Sequence, residues 1–128
     1  MATIGESGRL ISTDKVEGTP VVNGRGEDLG HISEIMIDKP TGQVAYAVLK
    51  YGSFFGLGGK LFAIPWDILT YEPGKDAYVI DLPEERLREG PNADSTDRLD
   101  LGNFYWNRQV HEYYGSTADW YRSAWPPV

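Results

Sequence analysis

Residues 29–65, LGHISEIMIDKPTGQVAYAVLKYGSFFGLGGKLFAIP, decide the fold. Turn residues divide the stretch into three apolar runs, Gly30 to Asp38, Gln43 to Tyr51 and Lys60 to Pro65. Short runs rich in Ile, Val and Tyr between Gly- and Pro-containing turns predict strands, because β-branched and aromatic side chains suit a pleated surface. In the first run the apolar parity changes: Ile32 belongs to one face, Ile35 and Ile37 to the other, with Met36 opposite them. A β-bulge near Ser33-Glu34 reconciles the two halves and bends the strand, as a small barrel requires. Lys39-Pro40-Thr41-Gly42 reads as a turn, with the Asp38 carboxylate as a turn former rather than a general base. In the second run Val44, Tyr46 and Val48 alternate with Ala45, Ala47 and Leu49. Both faces are apolar, so this is expected to be the most buried strand.

Upstream, residues 1–15 read as a flexible N-terminus. Val16 to Val22 then predicts a lead-in strand, with Pro20 at an edge because it has no N–H to donate. The Asn23-Gly24-Arg25-Gly26-Glu27 turn follows. Downstream, Trp66 to Leu69 predicts a single helical turn whose Trp66 plugs the barrel. Thr70 to Glu72 and Ala77 to Asp81 pair across Pro73-Gly74-Lys75-Asp76 as a hairpin. Pro83 to Glu89 carries Pro at an early position, acids in the first turn and Gly90-Pro91 as a stop, which predicts a short closing helix. The barrel domain therefore spans residues 16–90, and the polar, acidic residues 91–102 read as a linker.

Residues 103–128 form an aromatic tail. Phe104, Tyr105, Trp106, Tyr113, Tyr114, Trp120, Tyr121 and Trp125 are half of the sixteen aromatic residues in the chain. Disordered segments are poor in aromatics, so the tail is expected to dock on something. Trp106, Val110, Tyr113 and Tyr114 fall at i, i+4, i+7 and i+8 with Gly115 behind them, predicting an amphipathic helix of about three turns with a glycine cap.

Composition narrows the function classes. The 128 residues suit one domain with a proper core. There is no cysteine, which removes disulfides, thiolate metal sites and thiol catalysis together. The net charge is −7, and the twelve basic residues are scattered singly among nineteen acids, so a nucleic-acid backbone would be repelled. No run approaches the ~18 to 20 apolar residues of a membrane span, and the N-terminus has no signal-peptide core. The expectation is a soluble, cytoplasmic protein.

At Leu29-Gly30-x-Ile32, Ile37-Asp38, Thr41-Gly42-x-Val44-x-Tyr46-x-Val48 and Ala63-x-Pro65-Trp66, the sequence resembles the PRC-barrel family. The resemblance covers about Val16 to Leu87, and the run from His111 to Gly115 is similar to the tail of stand-alone members. That family takes its name from the cytoplasmic domain of the photosynthetic reaction centre H subunit and includes the C-terminal domain of a bacterial ribosome maturation factor. The resemblance implies a mainly β fold, a small, strongly bent β-barrel that acts as an adaptor, often self-associating, with no catalytic residues; no cofactor is expected. Within these residues nothing matches the H subunit's membrane helix or the maturation factor's N-terminal domain.

The glycine-rich stretch 52–59 invites comparison with a phosphate cradle, but the spacing fails. A P-loop needs Gly where Phe54 stands and Ser or Thr where Leu61 stands. The Phe54-Phe55 pair caps the barrel end or offers a knob to a partner. His31 and His111, the only histidines, read as ordinary surface residues. No serine sits in a nucleophile-elbow sequence. The expected function is thus a non-enzymatic interaction module, homodimeric, with an unidentified protein partner. Its expected contact surface is Phe54, Phe55, Leu57, Trp106, Tyr113, Tyr114, Trp120 and Trp125. Peripheral association with a photosynthetic membrane complex, a place in ribosome assembly, and small-ligand binding are the alternatives.

Overall fold

In the computed structural model, which describes residues 9–51, 59–93 and 98–117, the sheet is entered through a helical turn, α1 (Thr13–Val16). The Ser12 carbonyl accepts from the Lys15 and Val16 N–H groups at 3.0 and 3.3 Å. Gly18, at φ +88°, then reverses the backbone into β1 (Pro20–Asn23). The expected strand from Val16 is therefore shorter, and a helical turn occupies part of the expected flexible lead. The turn lets Val16 reach the core, where it is 5% exposed.

β2 (Asp28–Ile37), β3 (Val44–Tyr51) and β4 (Lys60–Pro65) continue from β1 as an antiparallel meander. Ile32 lies opposite Leu49 and Glu34 opposite Val48, which leaves Ser33 as the extra residue of the expected bulge. Ile32 and Ile35, three residues apart, consequently pack on the same core, while Met36 faces the other side. A second irregularity between Met36 and Ile37 leaves Ile37 55% exposed instead of sharing the face of Ile35. The Asp38 carboxylate accepts from the Thr41 hydroxyl at 2.6 Å and the Thr41 N–H at 3.3 Å, as a turn former should.

A 3-10 turn (Trp66–Ile68) leads into the hairpin of β5 (Leu69–Glu72) and β6 (Ala77–Ile80). β6 lies parallel to β1, with Val21 opposite Tyr78. After α2 (Glu84–Arg88) come β7 (Asn92–Ala93), paired antiparallel with β4, and α3 (Phe104–Tyr114). Within the expected linker, then, two residues form a strand and Leu99 is only 3% exposed. Gly90-Pro91 ends α2 and returns the chain to the free edge of β4, giving that edge's polar groups partners.

The fold is mainly β, one seven-stranded sheet in the order β5-β6-β1-β2-β3-β4-β7. Its outer strands β5 and β7 are not paired with each other, so the sheet is strongly bent without closing. The concave side holds Ile32, Leu49, Phe62, Ile64 and Ile80, with Leu87 of α2 set among them at 0% exposure. Leu87 is the plug; Trp66 is half-buried at the rim, its ring 5.3 Å from that of Tyr78. Each large apolar side chain sealed in this way contributes about 1.5 to 3 kcal/mol. The convex side of β3 and β4 is equally dry, because Tyr46, Val48, Leu61 and Ala63 are covered by Val110 of α3 and by Leu99. Among the described residues no helix is long and apolar enough to cross a membrane.

Candidate functional site

α3 begins where Asn103 caps it: the side-chain carbonyl accepts from the Tyr105 and Trp106 N–H groups at 2.8 and 3.2 Å. It ends at Gly115 in the left-handed conformation, φ +66°, with the Ser116 N–H returning to the His111 carbonyl at 3.0 Å. Asn107, Val110 and His111 form its inner face and are buried. Relative to the expected stripe of Trp106, Val110, Tyr113 and Tyr114, the inner face is shifted toward Asn107 and His111: Val110 and Tyr114 keep their inward places, Trp106 packs half-buried against the covered clusters from the flank, and Tyr113 lies outside them.

Two polar residues make that shift possible. The Tyr46 hydroxyl donates to the Asn107 side-chain oxygen at 2.6 Å, and the Asn107 amide donates to the carbonyls of Leu101 and Asn103 at 2.9 and 2.7 Å. A buried amide with its carbonyl and both N–H groups engaged fixes helix and strand in one register. His111, at 2% exposure, is not the surface histidine the sequence suggests. Its Nδ1 lies 2.8 Å from the Ser116 hydroxyl, whose proton goes to Asp67 at 2.7 Å. Because a carboxylate only accepts, Ser116 is the donor to Asp67 and His111 donates through Nδ1. The serine thus stands between acid and imidazole and cannot lose its proton to Nδ1. With Thr117 N–H on the second Asp67 oxygen at 3.2 Å, the array fastens the end of α3 to the 3-10 turn. Burial pushes the His111 pKa below its ordinary value of 6.5, against the opposing pull of Asp67.

The other side of the helix terminus meets α2. The Tyr113 hydroxyl donates to the Arg86 carbonyl, an Arg86 Nη donates to the Tyr113 carbonyl at 2.9 Å, and the guanidinium lies 3.9 Å above the ring centre. Tyr114 packs against both buried clusters, with its hydroxyl out of solvent and its pKa raised by burial. A Cβ on Gly90 would lie 2.7 Å from that hydroxyl and 3.0 Å from the Tyr113 ring, so glycine is what lets α3 approach α2. Nearby, the Tyr51 hydroxyl donates to Glu84 at 2.7 Å, and burial together with that carboxylate pushes its pKa up to about 12.

These contacts leave an open groove of about 570 Å³ between the outer side of α3 and residues 89–92. Trp106, Gln109, Glu112 and Tyr113 line one wall, and Glu89 and Asn92 stand on the other. Of the residues singled out from the sequence, Trp106 and Tyr113 meet here, half-buried, while Tyr114 turns into the core. Phe54, Phe55, Leu57, Trp120 and Trp125 lie outside the described residues. Sequence reasoning missed Asn107, His111, Asp67 and Ser116. The available signal was Asn107 itself, a poor helix former at mid-helix, one turn before His111. Among the described residues no group of three or more His, Asp or Glu side chains is placed to hold a metal ion.

No protein of curated function matches the chain. Among solved structures, it is similar to RimM of Pseudomonas aeruginosa, described as a 16S ribosomal RNA processing protein, at 15% identity and a TM-score of 0.40. The likeness covers 62% of this chain, which spans about half (49%) of the length of that one. The PRC-barrel domain model matches residues 9–87, taking in every element from α1 to the middle of α2. The chain belongs to the PRC-barrel family.

Proposed function

We propose that this PRC-type module is a non-enzymatic, cytoplasmic adaptor that self-associates and binds a further protein. The observation that carries the reading is the outer side of α3. With its inner face already sealed against β3 and β4, the helix still presents Tyr105 at 62% exposure, flanked by half-buried Phe104 and Trp106. Aromatic side chains kept at a surface mark contact sites, since they bury large areas on association at low cost in side-chain entropy. The chain's own polar chemistry supports the same reading. Asn107, His111 and Asp67 are engaged in holding α3 to the barrel rather than in lining a reaction cavity.

Light scattering on the full-length chain, coupled to size exclusion, tests self-association. The expected mass is twice 14.3 kDa, falling to one copy in Tyr105→Ser. A single copy at every concentration up to about 100 μM, well above the micromolar range of modest interfaces, would overturn it. Affinity capture from native extract with the wild type and Tyr105→Ser side by side tests the adaptor role. A partner retained by the wild type and lost in the variant supports it, and its identity decides between a photosynthetic membrane complex and a ribosomal particle. Equal capture by both proteins would remove α3 from the reading.

A further inference from the structure

The groove between α3 and residues 89–92 has a chemistry of its own. Among its described lining residues are two carboxylates, Glu89 after α2 and Glu112 on α3, together with the Trp106 aromatic surface, and none of the described lining residues is basic. We propose that this groove seats a short basic segment of a partner protein, with one arginine or lysine side chain lying against Trp106 between the two glutamates. The inference rests on the adaptor reading and names the chemistry of the partner.

Charge complementarity selects the occupant. A guanidinium laid on an indole gains from the ring's quadrupole and can fork onto a carboxylate at the same time. On the same helix as Trp106, the Tyr113 ring already carries the Arg86 guanidinium of α2 at 3.9 Å, so the local geometry accepts that stacking. Among the described residues, neither Arg86 nor Arg108 fills the groove. Arg86 is held by the Tyr113 carbonyl, and Arg108 reaches Glu112 at 3.0 Å from one turn away, with both of those side chains more than half exposed. An exposed i,i+4 pair is worth only a few tenths of a kcal/mol, so Arg108 gives way to a better-placed cation. The Gln109 and Asn92 amides, both exposed, can hydrogen-bond an incoming backbone. A volume of about 570 Å³ exceeds what one side chain needs and suits several residues. The net charge of −7 draws such a segment in from solution and repels an acidic one.

The test is a titration of the ¹⁵N-labelled full-length protein with acetylated, amidated Gly-Arg-Gly-Arg-Gly, beside peptides with glutamine or glutamate in place of arginine. The arginine peptide alone should shift the Trp106 indole, the Gln109 and Asn92 side-chain amides and the Gly90 N–H, and the shifts should saturate. The double variant Glu89→Gln/Glu112→Gln, both positions being exposed, should keep the spectrum of the fold and bind about tenfold more weakly. Equal shifts with the glutamine peptide, or unchanged affinity in the double variant, would overturn the proposal. So would contacts from the Trp120 or Trp125 indoles to Trp106 in the free protein, or groove shifts that follow protein concentration without peptide. Those two results would make the occupant this chain's own tail or a second copy. A negative titration beside an intact, Tyr105-dependent capture overturns this proposal and leaves the adaptor reading standing, whereas failure of the wild type to capture any partner ends that reading separately.

Discussion

Gly30 lies inside β2 at φ +130°, a conformation that L side chains rarely adopt. A Cβ there would overlap the carbonyl oxygen of Lys50 on the neighbouring strand. Gly30→Ala must therefore strain the backbone and push β2 from β3 at once, and we expect a loss of about 3 kcal/mol in urea denaturation. An unchanged midpoint would mean that the two strands are not this close. His111 makes a prediction of opposite subtlety, a slope rather than a collapse. Its pKa in the fold is lowered from 6.5, so the unfolded chain binds the proton more readily than the folded one. Stability should sit on its plateau above pH 6.5 and decline as pH falls through the window beneath that value. His111→Gln should flatten this part of the profile relative to the wild type, with the carboxylates' own acid loss left in both. Parallel profiles would show that the imidazole is not held neutral.

For α3, the tests concern its role as a cover. A chain ended after Gly90 keeps every strand but β7, yet it strips the convex side of β3 and β4 of Val110 and Leu99. Tyr46, Val48 and Ala63 would then face water, so we expect this fragment to lose its cooperative thermal transition and to bind a hydrophobic dye. A sharp transition near that of the full chain would make the helix an accessory. The helix also shows what local pattern can and cannot carry. The meander, the bulge at Ser33, the β5–β6 hairpin and α2 were legible, because alternation and turn residues act over a few positions. So were the existence of α3 and its glycine cap. The shift of its inner face was not legible, since hydrophobic spacing sends Asn107 and His111 outward. What turns Asn107 inward is the Tyr46 hydroxyl, 61 residues away. The groove was hidden for the same reason: Trp106 and Tyr113 could be singled out as aromatics, but their meeting with Glu89 and Asn92 is tertiary. The short strand Asn92–Ala93 carries no β signal at all and exists because the β4 edge is there to receive it.

At the scale of the molecule, the charge of −7 acts on the two proposed associations with opposite sign. Two copies of this chain repel each other, whereas a basic segment is attracted. Raising ionic strength from about 0.02 to 0.5 M shortens the screening length from about 20 to about 4 Å. The dimer fraction should therefore rise with salt in light scattering, while the affinity of the arginine peptide should fall. The same direction of change in both would mean that one of the contacts is not governed by this field. The parallel pairing of β1 with β6 bears on how the chain is made. Val21 meets Tyr78 only once that residue has been synthesised, and the outer surface of β3 waits for Val110. At translation rates of about 5 to 20 residues per second, the stretch between β4 and α3 takes roughly 2 to 9 s to appear. For that interval the nascent meander carries an uncovered apolar flank, so we expect ribosome-bound chains stalled before Val110 to bind a hydrophobic dye or a chaperone, and chains long enough to expose α3 to lose that binding.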